Sequence, residues 1–320
     1  MSLVKWSVLL PLAGVVLLGF IVASLDWAVL SEVLSSLPFW MIGVVCVLWL
    51  VPVCWTAFEW WIILRRHGMH VGVGSCIRLV LLGYFFGFVT PGGVGAYARV
   101  LYLQRESGEP LEKCLANVVL LNTVDFVSLL VLSVGGALLV VDRFSYLLAL
   151  SVGLLSVVVV LFVLFLRHDF LSGVLERVLR GRLSSILKGR IGSSEGVVFR
   201  SLPSLGDMVV PLCLSVVGWL VLFSLFYAIS LVFGVSAPYG FVVLAMALAS
   251  VVGTIPVTLY GLGTREAVLI ALLSVFGASA EVVVALSLFW FVGIWLVPSV
   301  VGAVVSLVGG WSNVDEVKNL

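Results

Sequence analysis

The chain has 320 residues, of which 62% are hydrophobic and only 10% charged, with a formal net charge of +1 and a mean hydropathy of +1.30. A soluble domain is about 45–50% apolar and about 25% charged, so a soluble enzyme or binding module is excluded. The composition describes an all-α polytopic membrane protein built from apolar helices of about 20 residues. Near-zero charge gives no field for nucleic acid. The apolar runs are continuous, unlike the alternating strands of an outer-membrane barrel.

Lys5 and the apolar run to Leu25 resemble a signal peptide. The run exceeds an h-region of about 7–15 residues, and Ala23-Ser24-Leu25 is a poor cleavage pattern, so 5–25 is read as the first span. Further spans are predicted over 38–64, 114–140, 144–166, 208–233 and 281–308. Two apolar stretches between them, 79–103 and 239–277, are broken by glycine and proline. Thr90, Pro91, Gly92, Gly93 and Gly95 mark the first break, and Pro256, Gly261 and Gly263 the second. Gly93-Val94-Gly95 matches Gly261-Leu262-Gly263 at an offset of 168 residues, and a short amphipathic piece and a long span follow each.

Basic residues orient the chain. The segment 167–207 holds seven Lys/Arg, so it is predicted to be a cytoplasmic linker, while 26–37 and 234–240 hold none and face outside. Its apolar residues from Leu171 to Leu183 have helical spacing, which suits a helix lying on an anionic leaflet. By this count 79–103 starts and ends inside. Its arms are too short to cross twice at about 1.5 Å per residue, which predicts a re-entrant hairpin. The stretch 239–277 reads as a second hairpin from the opposite face, although 239–259 is long enough to cross. The single membrane domain 1–320 then holds a first repeat at 38–140 and a second at 208–308, inverted relative to one another. Broken helices in corresponding positions of inverted repeats are a transporter plan.

Ionisable groups within spans are functional candidates, because each costs about 2.5–3.5 kcal/mol on insertion scales. Thr264 is placed to cap the helix beginning there, with Glu266 in its first turn. Arg265 then either pairs locally or binds an anionic head group, helped by free N–H groups at the helix start. Arg99, four residues past Gly95, either snorkels or lines a cavity opposite Arg265. Asn122 and Asp125 share a helix face with Ser128, preceded by Asn117, as a helix–helix seam or a coupling site. Glu59, beside Trp60 and Trp61, is expected at the interface. No metal or cofactor motif is present: the five cysteines read as small core residues, and His67 and His70 lack a supporting ligand cluster.

Thr90-Pro-Gly-Gly-Val-Gly95 with Arg99, then Asn122-Thr-Val-Asp125, resembles the first half of the lysylphosphatidylglycerol synthase transmembrane (flippase-like, UPF0104) family. Pro256, Gly261-Leu-Gly-Thr-Arg-Glu266, Phe276-Gly-Ala-Ser279 and Leu296-Val-Pro-Ser-Val-Val-Gly302 resemble its second half. The chain departs from the family pattern at Ala96, Leu121, Asn122 and Phe291. The resemblance implies movement of lipid head groups between leaflets. The aminoacyl-transferase domain of fused members finds no counterpart here, so enzyme activity is not expected.

The expected function is translocation of an anionic or polyprenyl-phosphate lipid across the cytoplasmic membrane. Arg99, Arg265, Glu266 and Thr264 are expected at the head group, and Asn122 and Asp125 at the coupling seam. The alternatives are a non-transporting subunit docking a lipid-modifying or glycosyltransferase enzyme through 167–207, and an intramembrane enzyme using Asp125 and Glu266. Membrane lipids are the expected partners, with room for an oligomer.

Overall fold

The computed structural model describes residues 27–139, 141–166, 205–254 and 261–308. The expected span 5–25, all but the last three residues of the linker, and Pro256 lie outside them. Every regular element among the described residues is helical. In order these are α1 (Trp27–Ser36), α2 (Trp40–Leu48), α3 (Leu50–Arg66), α4 (Val73–Val89), a 3-10 segment (Pro91–Ala98), α5 (Arg99–Ser107), α6 (Leu111–Leu139) and α7 (Val141–Leu166). They continue as α8 (Leu205–Val232), α9 (Tyr239–Gly253), α10 (Thr264–Leu273), α11 (Ala280–Phe291) and α12 (Val297–Val308).

Among the described residues, four helical runs are long and apolar enough to cross a membrane: Trp40–Arg66, Leu111–Leu139, Met208–Val232 and Ala280–Val308. They match the expected spans at 38–64, 114–140, 208–233 and 281–308. The expected span 144–166 lies in α7, which runs for 26 residues from Val141 to Leu166. The segment 26–37, expected to face outside between two spans, carries α1, whose Val33, with Leu37 just beyond its end, packs onto the larger core cluster. Proline sets the irregularities. Pro52 cannot donate to the Leu48 carbonyl, and the first run breaks at Trp49 between α2 and α3. Pro298 cannot donate to Ile294, and a π turn over Val292–Leu296 joins α11 to α12.

Each broken stretch folds back on itself. In the first, the Arg99 side chain lies against Gly83, Phe86 meets Tyr102 at 5.8 Å, and Arg78 pairs with Glu106 at 3.3 Å. In the second, Gly253 lies against Gly261, and Phe241 meets Phe276 at 4.7 Å. The arms are thus α4 with α5 and α9 with α10.

Left-handed glycines recur through both halves. Gly68 and Gly234 end α3 and α8, Gly93 and Gly261 sit in the breaks, and Gly108 and Gly277 close the second arms. These pairs are 166, 168 and 169 residues apart. The turns after α3 and α8 also share one hydrogen-bond pattern. Gly68 N–H donates to Arg65 and Met69 N–H to Leu64, while Gly234 N–H donates to Leu231 and Val235 N–H to Ser230. Both are Schellman caps followed by a buried apolar residue, Met69 or Val235.

Packing between the halves is reciprocal. The last long helix of each half lies against the first hairpin arm of the other, at a glycine. A Cβ on Gly136 of α6 would stand 2.8 Å from the Leu244 backbone nitrogen of α9. A Cβ on Gly302 of α12 would overlap the Leu81 carbonyl of α4. In lipid, helices associate through close packing rather than hydrophobic transfer, and small residues permit that approach. The α3–α8 crossing uses the same device, with Gly218 under the Trp55 indole, whose Nε1–H donates to the Leu214 carbonyl at 3.0 Å.

Candidate functional site

Between the halves lies a cavity of about 500 Å³. Its charged lining comes from four helices: Glu59 from α3, Asp125 from α6, Arg99 from the start of α5 and Arg265 from the start of α10. Asn122, Ser215 and Thr254 add polar groups, and Trp55, Trp219 and Trp290 stand among the aromatic walls.

The first break presents Arg99. The Thr90 hydroxyl donates to the Phe86 carbonyl at 2.8 Å and accepts from the Gly95 N–H at 2.7 Å, which ties the 3-10 segment back onto α4. Gly95 has no room for a Cβ beside Phe86 and Thr90. Gly93, at φ 70°, lines the cavity. Pro91 and Gly92 open the 3-10 segment. Arg99 follows at the first position of α5 and is 8% exposed. Its Nη2 donates to Asn122 Oδ1 at 2.8 Å, and its guanidinium lies 5.1 Å from the centre of the Trp60 ring. Of the two expectations for Arg99, the structure shows the cavity wall.

The second break presents Arg265. The cap of α10 is Gly263, at φ 88°, and not Thr264, whose hydroxyl donates to the Gly261 carbonyl at 3.2 Å. A left-handed backbone suits glycine there, which moves the cap one residue earlier than expected. Glu266 Oε2 accepts from the Gly263 N–H at 2.5 Å, and Oε1 accepts from Arg265 Nη2 at 2.9 Å and from the Ser287 hydroxyl at 2.5 Å. Arg265 Nε donates to Ser287 Oγ at 3.2 Å, and the guanidinium lies 5.8 Å from the Phe291 ring centre. Arg265 therefore reaches the cavity with one side held by a buried carboxylate. Glu266 is 0% exposed and stands behind Arg265 as its support, and neither it nor Thr264 lines the cavity.

The expected polar stripe on α6 divides. Asn122 and Asp125 face the cavity, and Ser215 on α8 donates to Asp125 Oδ1 at 2.7 Å. Asn117 lies elsewhere, with His67 Nδ1 at 2.6 Å from its Oδ1, while Ser128 donates back to the Val124 carbonyl. No group of three or more His, Cys, Asp or Glu suited to a metal occurs among the described residues.

Glu59 corrects the expectation from sequence. It is 1% exposed and lines the cavity rather than the membrane interface. Trp60 is likewise fully buried, beneath Arg99. The Phe58-Glu-Trp-Trp61 run looks interfacial because tryptophan favours that depth, but here Trp60 covers a guanidinium instead.

A basic residue on the exit arm of each break, both facing one cavity, is the arrangement that the glycine motifs suggested. The family described as the lysylphosphatidylglycerol synthase TM region matches residues 6–302. The chain belongs to that family. It is also 25% identical over 259 residues to a UPF0104 membrane protein of Methanothermobacter thermautotrophicus, an alignment covering 73% of this chain and 77% of that protein. The family thus embraces both broken stretches and every charged residue of the cavity.

Proposed function

We propose that this family member is a lipid translocator whose central cavity holds an anionic head group while the acyl or polyprenyl tails stay in the bilayer. The observation that carries this reading is the convergence of Arg99 and Arg265 on one cavity from two matched breaks. Paired guanidiniums suit a phosphate, since each offers a planar fork of donors. The apolar and aromatic remainder of the wall suits the region where the head group joins its tails.

The breaks are read as re-entrant hairpins, and the two halves as inverted repeats. The matched glycines and the reciprocal Gly136–Leu244 and Gly302–Leu81 contacts support this reading. Inversion requires an odd number of crossings between the halves, which α7 supplies if it spans. Backbone carrying left-handed glycines at membrane depth is tolerated where it borders a cavity, and Gly93 does so. Rocking of one half against the other would expose the cavity to each leaflet in turn.

Binding of short-chain phosphatidylglycerol by the purified protein tests this reading. Arg99→Ala should weaken it at least tenfold. Equal affinity in the variant would remove Arg99 from the head-group site.

A further inference from the structure

Glu59 has no part in holding the head group. It is 1% exposed, it faces the cavity, and its Oε1 has no hydrogen-bond partner among the described residues. It also interacts electrostatically with Asp125. A buried ionised carboxylate without a compensating bond is expensive, and Asp125, a second carboxylate on the same cavity wall, opposes its charge.

The charges around the cavity sharpen the point. Arg265 and its buried partner Glu266 cancel. That leaves Arg99 against Asp125 and Glu59. Ser215 and Trp219 from α8 and Thr254 at the end of α9 carry no charge. Arg78, the basic residue of α4, is occupied at the far end of its helix by Glu106. With both carboxylates ionised, the cavity carries a net negative charge and repels an anionic head. One proton on Glu59 brings it to neutrality.

We propose that Glu59 Oε1 is a proton-binding site, shared electrostatically with Asp125, and that the cavity takes up one proton with each anionic head group. The proton comes from water in the cavity and forms an O–H bond on Oε1; no other bond changes. A metal cation is a poorer occupant than a proton, because it needs several oxygen ligands and no third carboxylate, histidine or cysteine joins these two among the described residues. The uptake half of this inference rests on the head-group reading above; the proton site itself does not. By linkage, affinity for a head group of fixed charge falls about tenfold per pH unit once Glu59 ionises.

The test is infrared difference spectroscopy of the purified full chain during a pH titration, followed by calorimetry with dihexanoyl phosphatidylglycerol, whose single charge is constant. Wild type should show a protonated-carboxyl band that vanishes at high pH. That band should be absent in Glu59→Gln and retained, with a displaced midpoint, in Asp125→Asn. Calorimetry in two buffers of different ionisation heat should show uptake of about one proton per lipid in wild type, lost in Glu59→Gln. A band that persists in Glu59→Gln, or no band in wild type, overturns the proton site. Replacement of the band by a sodium-dependent signal overturns it as well. A Glu59 band in a protein that does not bind the lipid upholds the proton site and removes the head-group reading alone.

Discussion

Arg99 and Arg265 occupy the first turns of two helices that follow matched glycine breaks, and both line one cavity. Their surroundings differ. Arg265 is tied to Glu266 and Ser287, whereas Arg99 is held by Asn122 and the Trp60 ring. Substitutions at the two positions should therefore fail in different ways.

At Arg265 the first consequence is stability. Arg265→Ala leaves Glu266 buried without its ion pair, which costs about 3–5 kcal/mol. Thermal unfolding in detergent should show a larger drop in Tm for this variant than for Arg99→Ala. Adding Glu266→Gln should recover much of the loss, because no buried charge then remains. A simple additive decrease in the double variant would contradict the pair.

At Asn122 the effect should fall on binding. The bond it accepts from Arg99 involves a charged donor, worth about 1.5–3 kcal/mol. Asn122→Leu should weaken phosphatidylglycerol binding by about tenfold to a hundredfold, whereas Asn122→Gln, which keeps an amide oxygen for Arg99 and adds no charge, should weaken it less. Calorimetric titration of both variants checks this.

Helix contact at Gly136 can be separated from helix propensity by its neighbour. Gly136→Ala pushes a methyl into the Leu244 backbone and should cost about 1–3 kcal/mol, whereas Gly135 is exposed and has nothing within 4 Å. Gly135→Ala should be neutral or stabilising, as alanine is the better helix former by about 1 kcal/mol. Gly302→Ala should behave as Gly136→Ala does, against the Leu81 carbonyl. Denaturant titrations of the three variants decide the matter.

The breaks offer another comparison. Gly93 has φ 70° and open space around it, while a Cβ at Gly261 would stand 2.8 Å from the Gly253 Cα. Asparagine tolerates the left-handed region, so Gly93→Asn should fold better than Gly93→Val. At Gly261 asparagine should give no such rescue, because any Cβ meets backbone. Yields of monodisperse protein on size-exclusion chromatography would separate these outcomes.

The sequence made the breaks visible because glycine and proline punctuate apolar runs directly: arms expected at 79–103 and 239–277 appear as α4 with α5 and α9 with α10. Asn122 and Asp125 could be placed on one face because i,i+3 spacing survives into the helix. Glu59 could not be placed. Its burial goes with the close α3–α8 crossing that Gly218 allows beneath Trp55. That crossing does not follow from local pattern. The role of Ser287, which joins Arg265 to Glu266 from 21 residues away on α11, was equally hidden, since a serine within an apolar run carries no signal of its partner. The helix α1 was not foreseen, since a ten-residue stretch between spans gains its structure only when its Val33 finds a core to pack on.

Together, Arg99 and Arg265 should pass an anionic lipid between leaflets through the cavity they share. The most direct measurement uses the purified protein in liposomes containing fluorescent phosphatidylglycerol or a labelled polyprenyl phosphate, with a membrane-impermeant quencher added outside. Without protein, only the outer-leaflet label is quenched. Wild-type protein should let quenching proceed into the inner-leaflet pool, and Arg99→Ala at equal reconstitution should slow this at least tenfold. Wild-type vesicles that retain the protected inner pool, or an Arg99→Ala variant that moves lipid at the wild-type rate, would contradict passage through this cavity.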